Sequence, residues 1–343
     1  MPETELLVRF KNFIIYLSFF TTLSAQTFPD KVVDSLLAAG INQILLQNYS
    51  VAKNTFAFLE KTYPDNPLGN IYMAATEIAK SADYEEGFHN QYIDSLLDEA
   101  RKKTKKLLNK DNKNLWNNYY QALISGYSAY YNALQNNIFT ALSNGVKSLK
   151  SFKKCMEIKP NFYEAYIAAG TYTYWKSAKT KYLLWLPFIK DDRKKGINLL
   201  EKAVKHSSYN FYLAAYSLIW IYIDYRENNK AIYLAKKMLK KYPESRFFKW
   251  SLARAYEDTD INKSISTYKE ILTSLETLKF RNMYNDIVLK HKLAMLYYKK
   301  NDKNKALKLC NEILDFEINS VKIKQRLEKR IERVKQLKRK LLK

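Results

Sequence analysis

The chain has 343 residues, with 58 Lys or Arg against 34 Asp or Glu and a net charge of +24. Its 7 Gly and 7 Pro supply little turn chemistry for an all-β fold. Lys outnumbers Arg 47 to 11, so the guanidinium groups that grip phosphate bidentately are few, and no RRM, KH, zinc-finger or helix-turn-helix signature accompanies the charge. Specific nucleic-acid binding is therefore not expected, and charge alone implies a weak, general affinity for polyanions.

At the N-terminus, Arg9 and Lys11 precede an apolar run from Phe13 to Leu23, followed by Ser24, Ala25 and Gln26. The run is shorter than the ~20 residues a bilayer span requires, and small residues close it. This is the pattern of a secretory signal peptide cut near Ala25, although Leu23 fits the third position before the cut less well than Ala. The other reading is an uncleaved anchor or a buried helix. No Cys follows the run, so a lipidated N-terminus is not expected. The expected location is a bacterial envelope compartment, periplasmic or secreted.

From about residue 33 one pattern recurs. The small residues Ala52, Ala100, Ser148, Gly196, Ala231, Ser264 and Ala306 are followed four positions on by Phe56, Thr104, Phe152, Leu200, Ala235, Tyr268 and Cys310. Seven positions on stand Leu59, Leu107, Cys155, Ala203, Met238, Ile271 and Ile313. On a 3.6-residue helix these share one face. The small residue admits a neighbouring helix and the larger ones fill the space between units, so the fixed period predicts a stacked-repeat fold. Cys155 and Cys310 lie inward and four repeats apart, too far to bridge.

Pro64, Pro160 and Pro243, in TYPDNP, EIKPNF and KYPES, stand where the second helix of a unit must stop. The first helices carry Tyr166, Ala169 and Gly170 in 163–176, Leu252, Ala253 and Tyr256 in 246–256, and Leu293, Ala294 and Tyr297 in 287–298; Gly40 lies twelve residues before Ala52. Together these features resemble the tetratricopeptide repeat (TPR) over about 33–320, with Thr173 standing where the family has an aromatic. The resemblance implies an all-α solenoid, a superhelix of about seven helix-turn-helix repeats closed by a C-terminal capping helix.

The intervals between the small residues run 48, 48, 48, 35, 33 and 42, against ~34 for a plain TPR. The chain thus divides into a leader (1–25), enlarged repeats (26–208), regular repeats (209–320) and a basic helix (321–343). The surplus falls around 81–95, 132–144 and 180–194, where it either adds a surface along one edge or only lengthens the helices. The third insertion contains YLLWLPFI (182–189), whose Leu184, Trp185, Pro187 and Phe188 form either an edge contact or a local core. In 321–343, eleven Lys or Arg surround Val321, Leu327, Ile331, Val334, Leu337 and Leu341 at helical spacing. This helix is expected to cap the last repeat, the alternative being attachment to anionic membrane.

Nothing points to catalysis. His89, His206 and His291 have no metal-ligand spacing, and HExxH, GxSxG, GxGxxG and phosphate-loop motifs are absent from the sequence. Adjacent carboxylates such as Asp191–Asp192 and Glu85–Glu86 read as solvated charge. No metal or cofactor is expected. The TPR resemblance implies a concave groove lined by first helices that binds peptides or protein segments. Carried onto this chain, its positions are Tyr174 and Trp175, Tyr216 and Trp220, Trp250 and Arg254, and His291 and Tyr298. Aromatics and Arg favour binding hot spots, while a shift of one turn would place the same rings in the inter-repeat core. The expected function is a non-enzymatic scaffold binding another envelope protein or peptide segment in that groove. The alternative is a periplasmic accessory that holds a small apolar molecule in a closed pocket.

Overall fold

The computed structural model describes residues 26–85, 87–180, 190–278 and 283–343. The expected leader and the residues Leu184, Trp185, Pro187 and Phe188 lie outside the described residues. Fifteen helices and no strand occur among the described residues.

The helices alternate as first and second members of seven pairs. Units one to three are α1 (Lys31–Leu45) with α2 (Tyr49–Thr62), α3 (Leu68–Tyr84) with α4 (Asn90–Lys110), and α5 (Leu115–Leu134) with α6 (Ile138–Ile158). Unit four is α7 (Glu164–Lys179) with α8 (Arg193–His206). Units five to seven are α9 (Phe211–Asp224) with α10 (Asn228–Lys241), α11 (Arg246–Tyr256) with α12 (Ile261–Glu276), and α13 (Met283–Lys299) with α14 (Lys303–Leu314). The last helix, α15 (Val321–Leu341), packs on α13 and α14. It buries Leu327, Val334, Leu337 and Leu341 there, while Val321 stays exposed; most of its basic residues face outward, but Arg326 and Arg330 turn toward Glu85 and His291.

The small-residue ladder lies on the seven second helices, and of its twenty-one positions only Leu107 keeps part of its surface. Its steric purpose is plainest in unit four. A Cβ on Gly196 would lie 2.7 Å from the carbonyl oxygen of Gly170, and one on Gly170 would lie 2.8 Å from that of Gly196. In units three and six the small residue is Ser, whose hydroxyl donates to a first-helix carbonyl: Ser148 to Ala122 at 2.8 Å and Ser264 to Ala253 at 2.9 Å. Cys155 and Cys310 are free and buried, and burial pushes the Cys155 thiol up to about 12.

In units two and three the surplus residues lengthen helices, the second of the two alternatives the intervals left open. Helices α4 and α6 each run 21 residues, against 14 for α10, and the links before them span only 85–89 and 135–137. The turn from first to second helix has its own recurring form. Gln47, Asn136, Arg226 and Asn301 adopt φ of 62–63°. In each case the next residue's N–H reaches back five positions: Asn48 to Gln43, Asn137 to Asn132, Glu227 to Tyr222 and Asp302 to Tyr297. This left-handed C-terminal motif satisfies carbonyls that the helix end would leave unpaired.

Candidate binding surfaces

The first helices turn inward, and what they meet there is one another. Glu164, the first residue of α7, is 1% exposed. Its carboxylate accepts from the Ser208 and Tyr209 amides, both at 2.7 Å, from the Asn210 side chain at 2.8 Å and from the Tyr119 hydroxyl at 3.1 Å. Asn210 also donates to Tyr119 Oη at 2.7 Å. Tyr72 stacks on the ladder residue Phe56 at 5.2 Å. Burial, and then neighbouring charge and phenols, hold the Tyr72, Tyr119 and Tyr212 hydroxyls well above their usual range, so they act as donors rather than anions. A buried carboxylate with this many donors is a satisfied structural group. Side chains from units two to five thus meet in one buried network.

A second set of contacts joins the two ends of the solenoid. Asp83, at the end of α3, receives Arg246 Nε at 2.8 Å and Arg246 Nη2, with Tyr49 Oη at 2.9 Å and Gln47 Nε2 at 2.7 Å on the same carboxylate. Asn285 of α13 donates to the Asp83 carbonyl at 3.1 Å. Arg326 of α15 pairs with Glu85 at 2.6 Å and covers the Tyr284 ring at 4.1 Å. The ends of α1 and α3 in units one and two therefore meet units six, seven and the cap.

The eight residues expected to line a groove are distributed between this interior and the surface. Tyr174 is fully buried, its hydroxyl donating to Asp224 at 2.6 Å, so it belongs to the core rather than to a groove. Trp175 is half-buried against it. His291 is buried beneath α15 with Nδ1 2.9 Å from Arg330 Nη1. Trp250 packs edge-on against the ladder residue Tyr268 at 5.5 Å, and Arg254 is engaged by Glu257 at 2.9 Å. Tyr216 and Trp220 are half-buried and, with Phe247, form a short aromatic strip across units five and six. Tyr298 is exposed. The structure brings Tyr216 and Trp220 together, and it does not join the eight into one surface.

A cleft of about 530 Å³ opens elsewhere, on the edge where second helices hand over to first helices. Its walls are Phe28 ahead of α1, Tyr63 and three prolines (Pro29, Pro64, Pro67), and Trp116 and Tyr120 of α5. The Trp116 ring is fixed by edge contacts with Phe28 at 4.8 Å, Tyr119 at 5.6 Å and Phe162 at 5.9 Å. Phe28 is tied down in turn, its amide donating to Tyr209 Oη at 2.5 Å while the Tyr209 hydroxyl donates to Asp34. The amide side chains in the wall are already used. Asn114 caps α5 by accepting from the Trp116 and Asn117 amides, and Asn117 donates to the Leu107 and Asp111 carbonyls. Asn66 accepts from the Leu68 amide at 3.0 Å, and Thr62 and Asp65 also line the cleft beside its ring and proline surface. Sequence reasoning missed it because its residues come from three units and share no spacing.

Among the described residues no cluster of three His, Cys, Asp or Glu is placed to hold a metal, and no helix is long and apolar enough to cross a membrane.

The architecture is that of an all-α solenoid built from TPR-like helix pairs. No protein-family model matches the sequence, and neither does any curated protein. Among solved structures, the chain is similar to PilW, a widely conserved type IV pilus biogenesis factor, with a TM-score of 0.47 and 17% identity over 74% of this chain and 98% of that one. It is similar to YrrB, a TPR protein with an unusual peptide-binding site, with a TM-score of 0.42 and 12% identity over 66% and 97%. The APC/C hetero-tetramer Cut9–Hcn1 gives 0.48 and 12% over 91% and 48%.

Proposed function

We propose that the chain is an exported, non-catalytic interaction scaffold of a bacterial envelope, and that it takes an extended apolar or proline-bearing segment of another protein in the cleft beside Trp116. One observation carries this reading. The cleft is preformed, walled by Phe28, Tyr63, Trp116 and Tyr120, and its amide side chains are spent on helix caps. Aromatic-lined grooves of this type suit extended, proline-rich chains, which lose little entropy on docking. Asp65 is the one charged side chain among the residues that line it, and the three histidines are dispersed over α13, α8 and the start of α4. The cleft is open, and none of the eight groove residues lines it, so it is not the closed pocket of those aromatics that the small-molecule reading calls for.

The test is selection of peptides from a displayed library on the immobilised protein, followed by titration against Tyr63→Ala, Trp116→Ala and Trp220→Ala, each with helicity and melting temperature checked against the parent. Loss of binding of about tenfold or more in the first two, with Trp220→Ala unchanged, supports the cleft. Loss only in Trp220→Ala returns the site to the concave side and sinks this reading. Export is tested separately by sequencing the N-terminus of protein recovered from the envelope fraction, where Gln26 is the expected first residue.

A further inference from the structure

Helix α6 carries a ridge that the fold does not require. Ile138, Phe139, Leu142 and Val146 are 52%, 90%, 64% and 63% exposed. Phe139, Leu142 and Val146 lie on the side of the helix opposite the buried Ser148, Phe152 and Cys155. The corresponding positions of α4, counted back from its own ladder residue Ala100, are Gln91, Asp94 and Asp98, all exposed. A solvated face is therefore acceptable at this register, and its replacement by Phe, Leu and Val in α6 asks for a partner.

The same stripe turns basic one turn later, at Lys150 and Lys153, with Lys147 beside it. The only acid on α6 is Glu157, near its far end. On α4 the equivalent lysines Lys102 and Lys105 are exposed as well, while the acids Asp94 and Asp98 mark the limit of the patch on that side. Large, strongly exposed apolar side chains on a helix, followed by lysines, suit a bilayer interface, which accepts a protruding ring without a matching pocket. A second copy of the chain would bring a net charge of +24 against itself.

We propose that the Phe139–Leu142–Val146 ridge of α6 is a docking surface for an anionic phospholipid bilayer, with Phe139 and Leu142 entering the interface and Lys150 and Lys153 meeting the headgroups. This goes beyond the cleft and is independent of it. It also places membrane contact on α6 rather than on the basic helix α15, whose apolar face is spent on capping.

The experiment labels the full chain with an environment-sensitive NBD fluorophore at Leu142→Cys, since Cys155 and Cys310 are buried and stay unlabelled. Vesicles of equimolar phosphatidylcholine and phosphatidylglycerol should shift the emission to the blue and brighten it several-fold, and doxyl-lipid should quench it. Phosphatidylcholine alone should not. Adding Phe139→Ser should abolish the response, and Lys150→Glu with Lys153→Glu should weaken the vesicle affinity by roughly tenfold or more. Helicity and melting temperature of these surface variants should match the parent. An unchanged spectrum while the protein sediments with vesicles would show attachment through another segment and overturn the proposal. So would a shift that depends on protein concentration without lipid, which would mark a protein interface, or a response indifferent to lipid charge.

Discussion

His291 shows how one buried side chain can carry a pH dependence. An arginine only donates, so Nδ1 accepts from Arg330 and the neutral ring carries its proton on Nε2. Burial first, then the charges of Arg330, Arg333 and Lys292, lower its pKa from 6.5 to about 4. The unfolded chain takes up a proton as pH falls through 6.5, and the folded chain does not until about 4. The contribution to stability is therefore complete above 6.5 and is lost between 6.5 and 4. At about 1.4 kcal/mol per pH unit, the loss amounts to roughly 3 kcal/mol. His291→Gln should flatten this part of the pH profile, as read by chemical denaturation between pH 5 and 7, where carboxylates contribute little. A second residue-scale expectation concerns Arg226, an exposed residue at φ 63°. A left-handed non-glycine residue costs about 1–2 kcal/mol, part of which glycine returns through the unfolded state. Arg226→Gly should stabilise by roughly 0.5–1 kcal/mol, visible as a raised denaturation midpoint with unchanged slope. Such turns were not legible in the sequence, because Gln, Asn and Arg occupy positions where glycine would have announced them.

At the scale of helices, the ladder was legible because close helix crossing has a strict steric requirement, and a residue without bulk must recur wherever backbones meet. Two glycines make the point quantitatively. Gly196 faces backbone atoms of α7, so a Cβ there would sit 2.7 Å from Gly170 O and from Tyr174 N. Neither can move without shifting a helix, and Gly196→Ala should cost about 2 kcal/mol or more. Gly145, in the extended half of α6, has nothing within 4 Å of the same added atom. Gly145→Ala should stabilise by about 0.5–1 kcal/mol through helix propensity alone. Opposite signs from the same substitution, measured by thermal and urea unfolding, are the expected result; destabilisation at both sites would mean that α6 depends on glycine for another reason. The intervals of 48 residues located the surplus sequence but did not say what it became. Extra turns of helix and an inserted loop have the same length, and only the packing of α4 and α6 distinguishes them. The cleft was hidden for a related reason, since Phe28, Tyr63 and Trp116 are neighbours only after three units have stacked.

Closure of the whole solenoid follows from small rotations added over seven units, and no local pattern encodes that sum. This is why contacts between distant units were not expected from the ladder: Asp83 and Arg246 are 163 residues apart, yet their side chains are 3% and 8% exposed and paired. A buried pair of this kind is weak evidence of net stabilisation, but removing one partner leaves a buried charge uncompensated, at a cost of about 3–5 kcal/mol. The solenoid has an escape from that cost, because separating units one and two from units six and seven would return Asp83 to water. Arg246→Met should therefore lower unfolding stability and also enlarge the radius of gyration in small-angle scattering. Asp83→Leu with Arg246→Met, which replaces both charges by apolar groups, should recover most of the stability and the compact radius. If the single variant kept both its radius and its stability, closure would rest on the Glu164–Tyr119–Asn210 network instead. Glu164→Gln, which keeps the side chain's size but loses acceptor capacity, would then become the variant that opens the molecule.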